Sequence, residues 1–328
     1  MRIAVDAMGG DFAPAAVVEG ALEAARSGSV EVTLVGRETA IRQIMGRLGV
    51  RGDAVLIVDA PDVIEMDEPP AQAVRRKKSA SLVVCADLVR DGEADGMFSA
   101  GNTGAGMAVS LFKFGRITGI DRPAIALPLP NMNGDTLLLD AGANVDVGPH
   151  CLVQYAVMGS IYSREIQGVE NPRVGLVNIG EEECKGNELS REALILLKAA
   201  PVNFVGNIEG PDLFNGRVDV VVCDGFTGNV ILKVAEGVAE FVMQQIRVEV
   251  DGNPLLKIPA ALLGPAFRRI RRRTDYGERG GALLLGVNGV CLIGHGRSNA
   301  QAVANAVRTT GEAVRHGIIE KIREQVAQ

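Results

Sequence analysis

Three short segments of the chain combine glycine with groups able to hold an anion. Ser99-Ala100-Gly101-Asn102-Thr103-Gly104 supplies two hydroxyls, an amide and closely spaced backbone N–H groups. Asn178-Ile179-Gly180-Glu181 runs on through Glu182, Glu183 and Cys184 to Lys185-Gly186-Asn187, which sets one lysine after three acids. Asp224-Gly225-Phe226-Thr227-Gly228-Asn229 joins a carboxylate to a hydroxyl and a primary amide. A glycine turn feeding a helix leaves backbone N–H groups unpaired, and those groups suit a phosphate-sized anion. Lys185 adds a point charge. Asn229 suits an oxyanion, and Asp224 suits orienting a group or accepting a proton. The same residues also serve plain helix capping, with Asn102 or Thr103 in the first turn and Asp224 or Thr227 in the third. The two roles are compatible, because a cap uses one donor and leaves others free.

Two further segments join these. Asp6-Ala7-Met8-Gly9-Gly10-Asp11 has the anatomy of a phosphate-binding turn but lacks both the G-x-G-x-x-G spacing and a Walker lysine. His295, in Gly294-His295-Gly296, is the histidine best placed for chemistry, whereas His150 and His316 read as surface or helix residues. Cys184 has no histidine near it in sequence and makes a poor nucleophile.

Apolar strands must carry these turns. Val/Ile/Leu-rich runs at 3–5, 31–35, 55–58, 95–99, 124–128, 136–140, 173–178, 202–206 and 218–223 lack polar alternation, as strands covered on both faces do. Helical patterns at 13–27, 38–48, 79–91, 103–115, 149–166, 188–200 and 227–249 lie between them. The alternation predicts a doubly wound, three-layer α/β/α sheet forming a single catalytic domain over 1–328. In a parallel sheet the three turns converge on one rim, where α/β proteins bind ligands.

The rhythm breaks within a helical insertion at about 240–275. Pro254, Pro259 and Pro265 there predict several short helices. Leu255, Leu256, Ile258, Leu262, Leu263 and Phe267 precede or flank Arg268, Arg269, Arg271, Arg272 and Arg273. Such an apolar and basic surface suits an anionic membrane, an acidic protein or a dimer partner equally. The other basic run, Arg75-Arg76-Lys77-Lys78, follows Glu65, Asp67 and Glu68, and a helix dipole alone accounts for it. Gly280–Gly296 is uncharged but broken by Gly286, Asn288 and Gly289, so it reads as buried strand and turn rather than a membrane span.

The 328 residues are 47% hydrophobic, enough for a large core. A net charge of −6, 4% aromatics and no Trp argue against a general nucleic-acid binder. The five cysteines form no C-x-x-C pair, which disfavours zinc and fits a reduced, cytoplasmic protein. The N-terminus reaches Asp6 too early for a secretory signal.

Taken together, DAMGGD (6–11), MDEPPAQAVRRKK (66–78), SAGNTGA (99–105), LLLDAGANVD (137–146), NIGEEE-x-KGNE (178–188), DGFTGN (224–229) and GGALLLGVNG (280–289) resemble the bacterial phosphate acyltransferase (PlsX) family of phospholipid synthesis, nearly end to end. The resemblance implies transfer of a long-chain acyl group from acyl carrier protein to inorganic phosphate. It also implies a fold like phosphotransacetylases and isopropylmalate dehydrogenases, a homodimer, no cofactor or metal, and peripheral contact with the inner face of the cell membrane. A glycerol-3-phosphate acyltransferase would consume the acyl phosphate.

On that reading Lys185, Asn229, Asp224 and His295 carry catalysis. Asp6, Gly9, Gly10, Asp11, Ser99, Gly101, Asn102, Thr103, Gly104, Asn144, Asn178, Thr227 and Gly228 line the substrate site. Two positions depart from the family: Phe12 stands where it usually has His, and Arg297 adds a charge after His295. Rival readings are an acyl-CoA-using enzyme of the same type, a nicotinamide-dependent dehydrogenase, and a non-catalytic membrane scaffold. The dehydrogenase is weakened by the lack of clustered metal-binding aspartates on one helix.

Overall fold

The computed structural model describes residues 1–51, 55–274 and 280–326, without the side chains of 254, 255, 268 and 271–274. Eleven strands form one sheet: β1 (Arg2–Asp6), β2 (Glu31–Gly36), β3 (Leu56–Asp59), β4 (Gly96–Ser99), β5 (Ala124–Pro130), β6 (Asp135–Leu139), β7 (Arg173–Val177), β8 (Asn203–Ile208), β9 (Val220–Val222), β10 (Ala282–Leu285) and β11 (Val290–Ile293). Their order is β3-β2-β1-β4-β11-β10-β5-β6-β9-β7-β8. The central strands are buried on both faces, which is why they lack polar alternation.

Helices cover both faces. One apolar layer packs α1 (Ala15–Arg26), α2 (Glu38–Arg47), α6 (Pro149–Ile166), α7 (Glu188–Ala199), α11 (Ala300–Arg315) and α12 (Ile318–Val326) on the sheet. The other packs α3 (Pro70–Arg76), α4 (Ser81–Arg90), α5 (Thr103–Lys113), α8 (Asp212–Asn215) and the start of α9 (Gly225–Gly252). This is the expected three-layer sandwich.

The expected convergence of the three turns on one rim does not hold, because the sheet is mixed. β4 runs parallel to β1 and β11. β10 is antiparallel to β11 and to β5, and β5 is antiparallel to β6. β6 then runs parallel to β9, and β9 to β7. Three reversals separate β4 from β6, so the turn after β4 leaves one rim and the turns after β7 and β9 leave the other. Two of these reversals are β-hairpins whose turns contain Asn133-Gly134 and Asn288-Gly289, an antiparallel-turn signature.

The insertion also differs from expectation. α9 runs 28 residues, and α10 (Pro254–Thr274) packs back on it as one helix with Pro259 and Pro265 inside. Both prolines are exposed, and a proline on a solvent-facing side of a helix leaves the carbonyl it frees open to water. The C-terminal helical stretch divides into α11 and α12 at Gly317, whose φ of 60° interrupts it.

Candidate active site

The first half of the site gathers the loops after β1, β4 and β11. Asp6, buried at the end of β1, accepts the Ser99 hydroxyl hydrogen at 2.7 Å and the Met8 N–H at 3.2 Å. Ser99 Oγ in turn accepts the Gly101 N–H at 3.1 Å. Burial pushes the Asp6 carboxyl above its ordinary value, and hydrogen bonds from Ser81, Ser99, Met8 and Gly9 oppose that rise. Gly9 fills the angle between the loops: a Cβ there would lie 2.6 Å from Asp6 Oδ2 and 2.8 Å from the Gly101 nitrogen. The Asp11 N–H donates to the Gly296 carbonyl at 2.7 Å, which fastens the His295 loop alongside. His295 Nδ1 accepts the Arg297 N–H at 3.1 Å.

Asn102 is fully committed to the fold. Its Oδ1 accepts the Ala105 N–H and caps α5, while its Nδ2 donates to the carbonyls of Glu65, Met66 and Glu68. With Ser99 and Asn102 engaged, the turn offers an anion the backbone N–H groups of Asn102, Thr103 and Gly104 and the exposed Thr103 hydroxyl. The basic run at 75–78 is absorbed nearby: Arg75 lies 4.9 Å from the Phe112 ring centroid, and Lys77 pairs with Glu68.

The second half lies at the ends of β6, β9 and β7. Asp140, fully buried, accepts N–H groups from Ile125, Gly142, Ala143 and Asn144. Burial raises its carboxyl pKa against those bonds. Asn144 Nδ2 donates to the Pro123 carbonyl, to Asp140 and to the Tyr155 hydroxyl, and the Asn144 carbonyl accepts the Gly225 N–H. The first turn of α9 presses onto this loop. A Cβ on Gly228 would sit 1.9 Å from the Asp140 carbonyl oxygen, and one on Gly225 would sit 2.6 Å from that of Asn144.

Asp224 caps α9: its Oδ1 accepts the Thr227 N–H at 2.8 Å and its Oδ2 the Thr227 hydroxyl at 2.7 Å. Asn229, one turn on, is exposed and lies over Gly142. In the neighbouring loop Asn178 donates to the Lys185 carbonyl at 3.2 Å. Glu181 pairs with Arg217 and Glu183 with Lys198, while Lys185 is exposed and makes no ion pair among the described residues.

The predicted residues therefore divide. Lys185, Asn229 and Thr103 present open polar groups. Ser99, Asn102, Asn144, Asn178, Asp224 and Thr227 spend their side chains shaping the loops. His295 shares a rim with Asp6 and Ser99, not with Lys185. Asp140 was not singled out, although it carries the signature of Asp6 and Asp224: an acid closing an apolar strand before glycine. Cys223 and Cys85 are buried, and burial pushes both thiols well up, so neither supplies a thiolate. Among the described residues no cluster of His, Cys, Asp and Glu forms a metal centre.

Comparison with known proteins places this geometry in a family. The profile of the family described as "Fatty acid synthesis protein" matches residues 1–321. The phosphate acyltransferase of Pelotomaculum thermopropionicum is 54% identical over 326 residues, 99% of this chain and 95% of that protein. That of Geobacter sulfurreducens is 48% identical over 326 residues, 99% and 94% of the two chains. Among solved structures, the EutD phosphotransacetylase of Staphylococcus aureus superposes with a TM-score of 0.65 at 16% identity, covering 96% of this chain and 94% of that one. A branched-chain phosphotransacylase from Enterococcus faecalis gives 0.59 at 12% identity, covering 96% and 99%. At such identities the structural likeness speaks for the fold, and the sequence relatives speak for the family. The chain belongs to the fatty acid synthesis protein family of phosphate acyltransferases and is an acyltransferase.

Proposed function

We propose that the chain moves a long-chain acyl group from acyl carrier protein to inorganic phosphate, releasing acyl phosphate and the free carrier thiol. The observation that carries this reading is the full-length kinship with phosphate acyltransferases. The chemistry fits the residues. A thioester is already activated, so no covalent enzyme intermediate is needed, and the buried thiols are no loss. A phosphate oxygen attacks the thioester carbon, the C–O bond forms, and the C–S bond breaks. The proton of hydrogenphosphate ends on the departing thiol, so the sum of the step requires no external base.

The enzyme's part is to align the reactants and to stabilise the tetrahedral oxyanion. Lys185 supplies the positive charge, and the Asn229 amide and backbone N–H groups supply the oxyanion donors. Asp224, by capping α9, aims Asn229. The open N–H groups at 102–104 hold an anion at the N-terminus of α5.

Homodimerisation, a cytoplasmic location with contact at the inner membrane face, and hand-over to a glycerol-3-phosphate acyltransferase belong to the same proposal. Leu256, Ile258, Leu262 and Leu263 are exposed on α10 beside exposed Arg269, which supports an apolar and basic contact with anionic lipid or with the acidic carrier. The expected contacts of Leu255, Arg268, Arg271, Arg272 and Arg273 concern side chains outside the described residues. Phe267 is half-buried. Among the described residues no helix is long and apolar enough to cross a membrane.

Donor choice tests the proposal. Turnover with palmitoyl carrier protein should exceed that with palmitoyl-CoA in kcat/KM. Equal or better use of the CoA thioester would reassign the enzyme to CoA substrates.

A further inference from the structure

A cavity of about 670 Å³ lies between α6, α11 and the β5–β6 hairpin. That volume is in the range of small-molecule sites. α6 and α11 belong to the helix layer across the sheet from α5 and the start of α9. None of the residues assigned to acyl transfer lines the cavity.

Its walls hold polar groups that the fold does not use. Tyr162, on α6, is 3% exposed, and its hydroxyl makes no hydrogen bond among the described residues. Gln167 lies just past the end of α6, and both of its amide atoms are buried with no partner among the described residues. Thr309 on α11 adds an open hydroxyl, and Asn133 in the hairpin an open side-chain amide. Buried polar groups are ordinarily paired, so several unpaired on one wall mark a place where a bound molecule supplies the bonds.

Charge selects the occupant. Arg173 is held by Asp219 at 2.8 Å and Arg308 by Glu23 at 3.1 Å, so both cations of the wall are already matched. Glu312, on α11, lines the mouth and makes no ion pair among the described residues. Burial, and then the nearby Glu312 charge, push the Tyr162 hydroxyl pKa up, which keeps that group a neutral donor and acceptor. An anion would meet an unmatched carboxylate here. A cation rich in hydroxyls meets one carboxylate and a mixed set of donors and acceptors.

We propose that this cavity is a second small-molecule site that takes a polyhydroxylated amine of the amino-sugar class, its ammonium pairing with Glu312 and its hydroxyls bonding Tyr162, Gln167 and Thr309. The site shares no residue with acyl transfer, so it stands or falls apart from that reading.

Saturation-transfer NMR on the full chain tests it, with glucosamine as the probe and glucose and inorganic phosphate as comparisons. Glucosamine should bind saturably, and glucose should bind about tenfold more weakly or worse for want of the charge-assisted bond. Glu312→Gln, at an exposed position, should weaken glucosamine about tenfold and leave glucose unchanged. Tyr162→Phe keeps the ring and strands no partner, so the fold is retained, and it should weaken both sugars. Phosphate should not displace the probe. No saturable glucosamine signal up to roughly 10 mM overturns the site. Equal binding of glucose, displacement by phosphate, or either variant binding like wild type overturns the assigned chemistry.

Discussion

Ser99 donates its hydroxyl hydrogen to Asp6 Oδ2 at 2.7 Å across 93 residues of sequence, and this buried bond joins the loops after β1 and β4. Asp140 on the opposite rim does the same work with four backbone N–H groups. In both places a carboxylate closing an apolar strand organises the glycine turn that follows it.

The raised pKa of Asp6 gives a pH signature. A carboxyl whose folded pKa exceeds its unfolded value favours folding most when protonated, and that advantage is lost as pH rises through the folded pKa. The stability of wild type relative to Asp6→Asn should therefore fall as pH rises from about 3 to about 7 in urea titrations. A difference that is flat or increases with pH would contradict the burial argument.

Gly228 should tolerate no side chain. A Cβ would meet the Asp140 carbonyl oxygen at 1.9 Å, so α9 must shift off the 140–144 loop. Gly228→Ala should cost about 1–3 kcal/mol or more of unfolding free energy and should impair turnover through Asn229. Wild-type melting and turnover would show that the contact is not tight.

Lys185 and Asn229 should separate from the loop-shaping residues in kinetics. Lys185→Ala and Asn229→Ala should each lower kcat by roughly 10²-fold or more with little change in thermal stability, since both side chains are exposed. Asn102→Ala should instead lower stability, by about 1 kcal/mol or more, because it uncaps α5 and removes the Nδ2 hydrogen bonds that tie the 65–68 loop to it. Near-normal turnover of Lys185→Ala at saturating phosphate removes the lysine from the mechanism.

On α10, Ile258 and Leu262 are 75% and 78% exposed, so replacing both by Ser should leave stability within about 0.5 kcal/mol. Binding to vesicles containing anionic lipid, measured by sedimentation, should drop. Unchanged vesicle binding together with a raised KM for the carrier assigns this face to protein docking.

Most of the architecture was legible in the sequence because unbroken apolar strands and amphipathic helices leave opposite periodicities. Strand direction was not. The alternation of strand and helix suggests a parallel sheet throughout, while the local marks of reversal are Asn133-Gly134, in the unassigned gap between two expected strands, and Asn288-Gly289, in a stretch read as buried strand and turn. That omission placed Ser99, Lys185 and Asn229 on one rim. The unbroken α10 was hidden because proline propensity says nothing about which side of a helix faces water. Motif composition did find the open groups at Lys185 and Asn229. It could not tell them from Asn102, Asn144 and Asn178, because whether an asparagine binds a ligand or its own loop depends on long-range hydrogen bonds.

The central claim is phosphate acyltransfer, and one assay addresses it. Purified protein is incubated with palmitoyl carrier protein, with and without inorganic phosphate, and the product is trapped with hydroxylamine while free carrier thiol is measured in parallel. The account predicts phosphate-dependent palmitoyl hydroxamate in step with released thiol. Thiol release without phosphate-dependent hydroxamate, or no reaction at all, would contradict it.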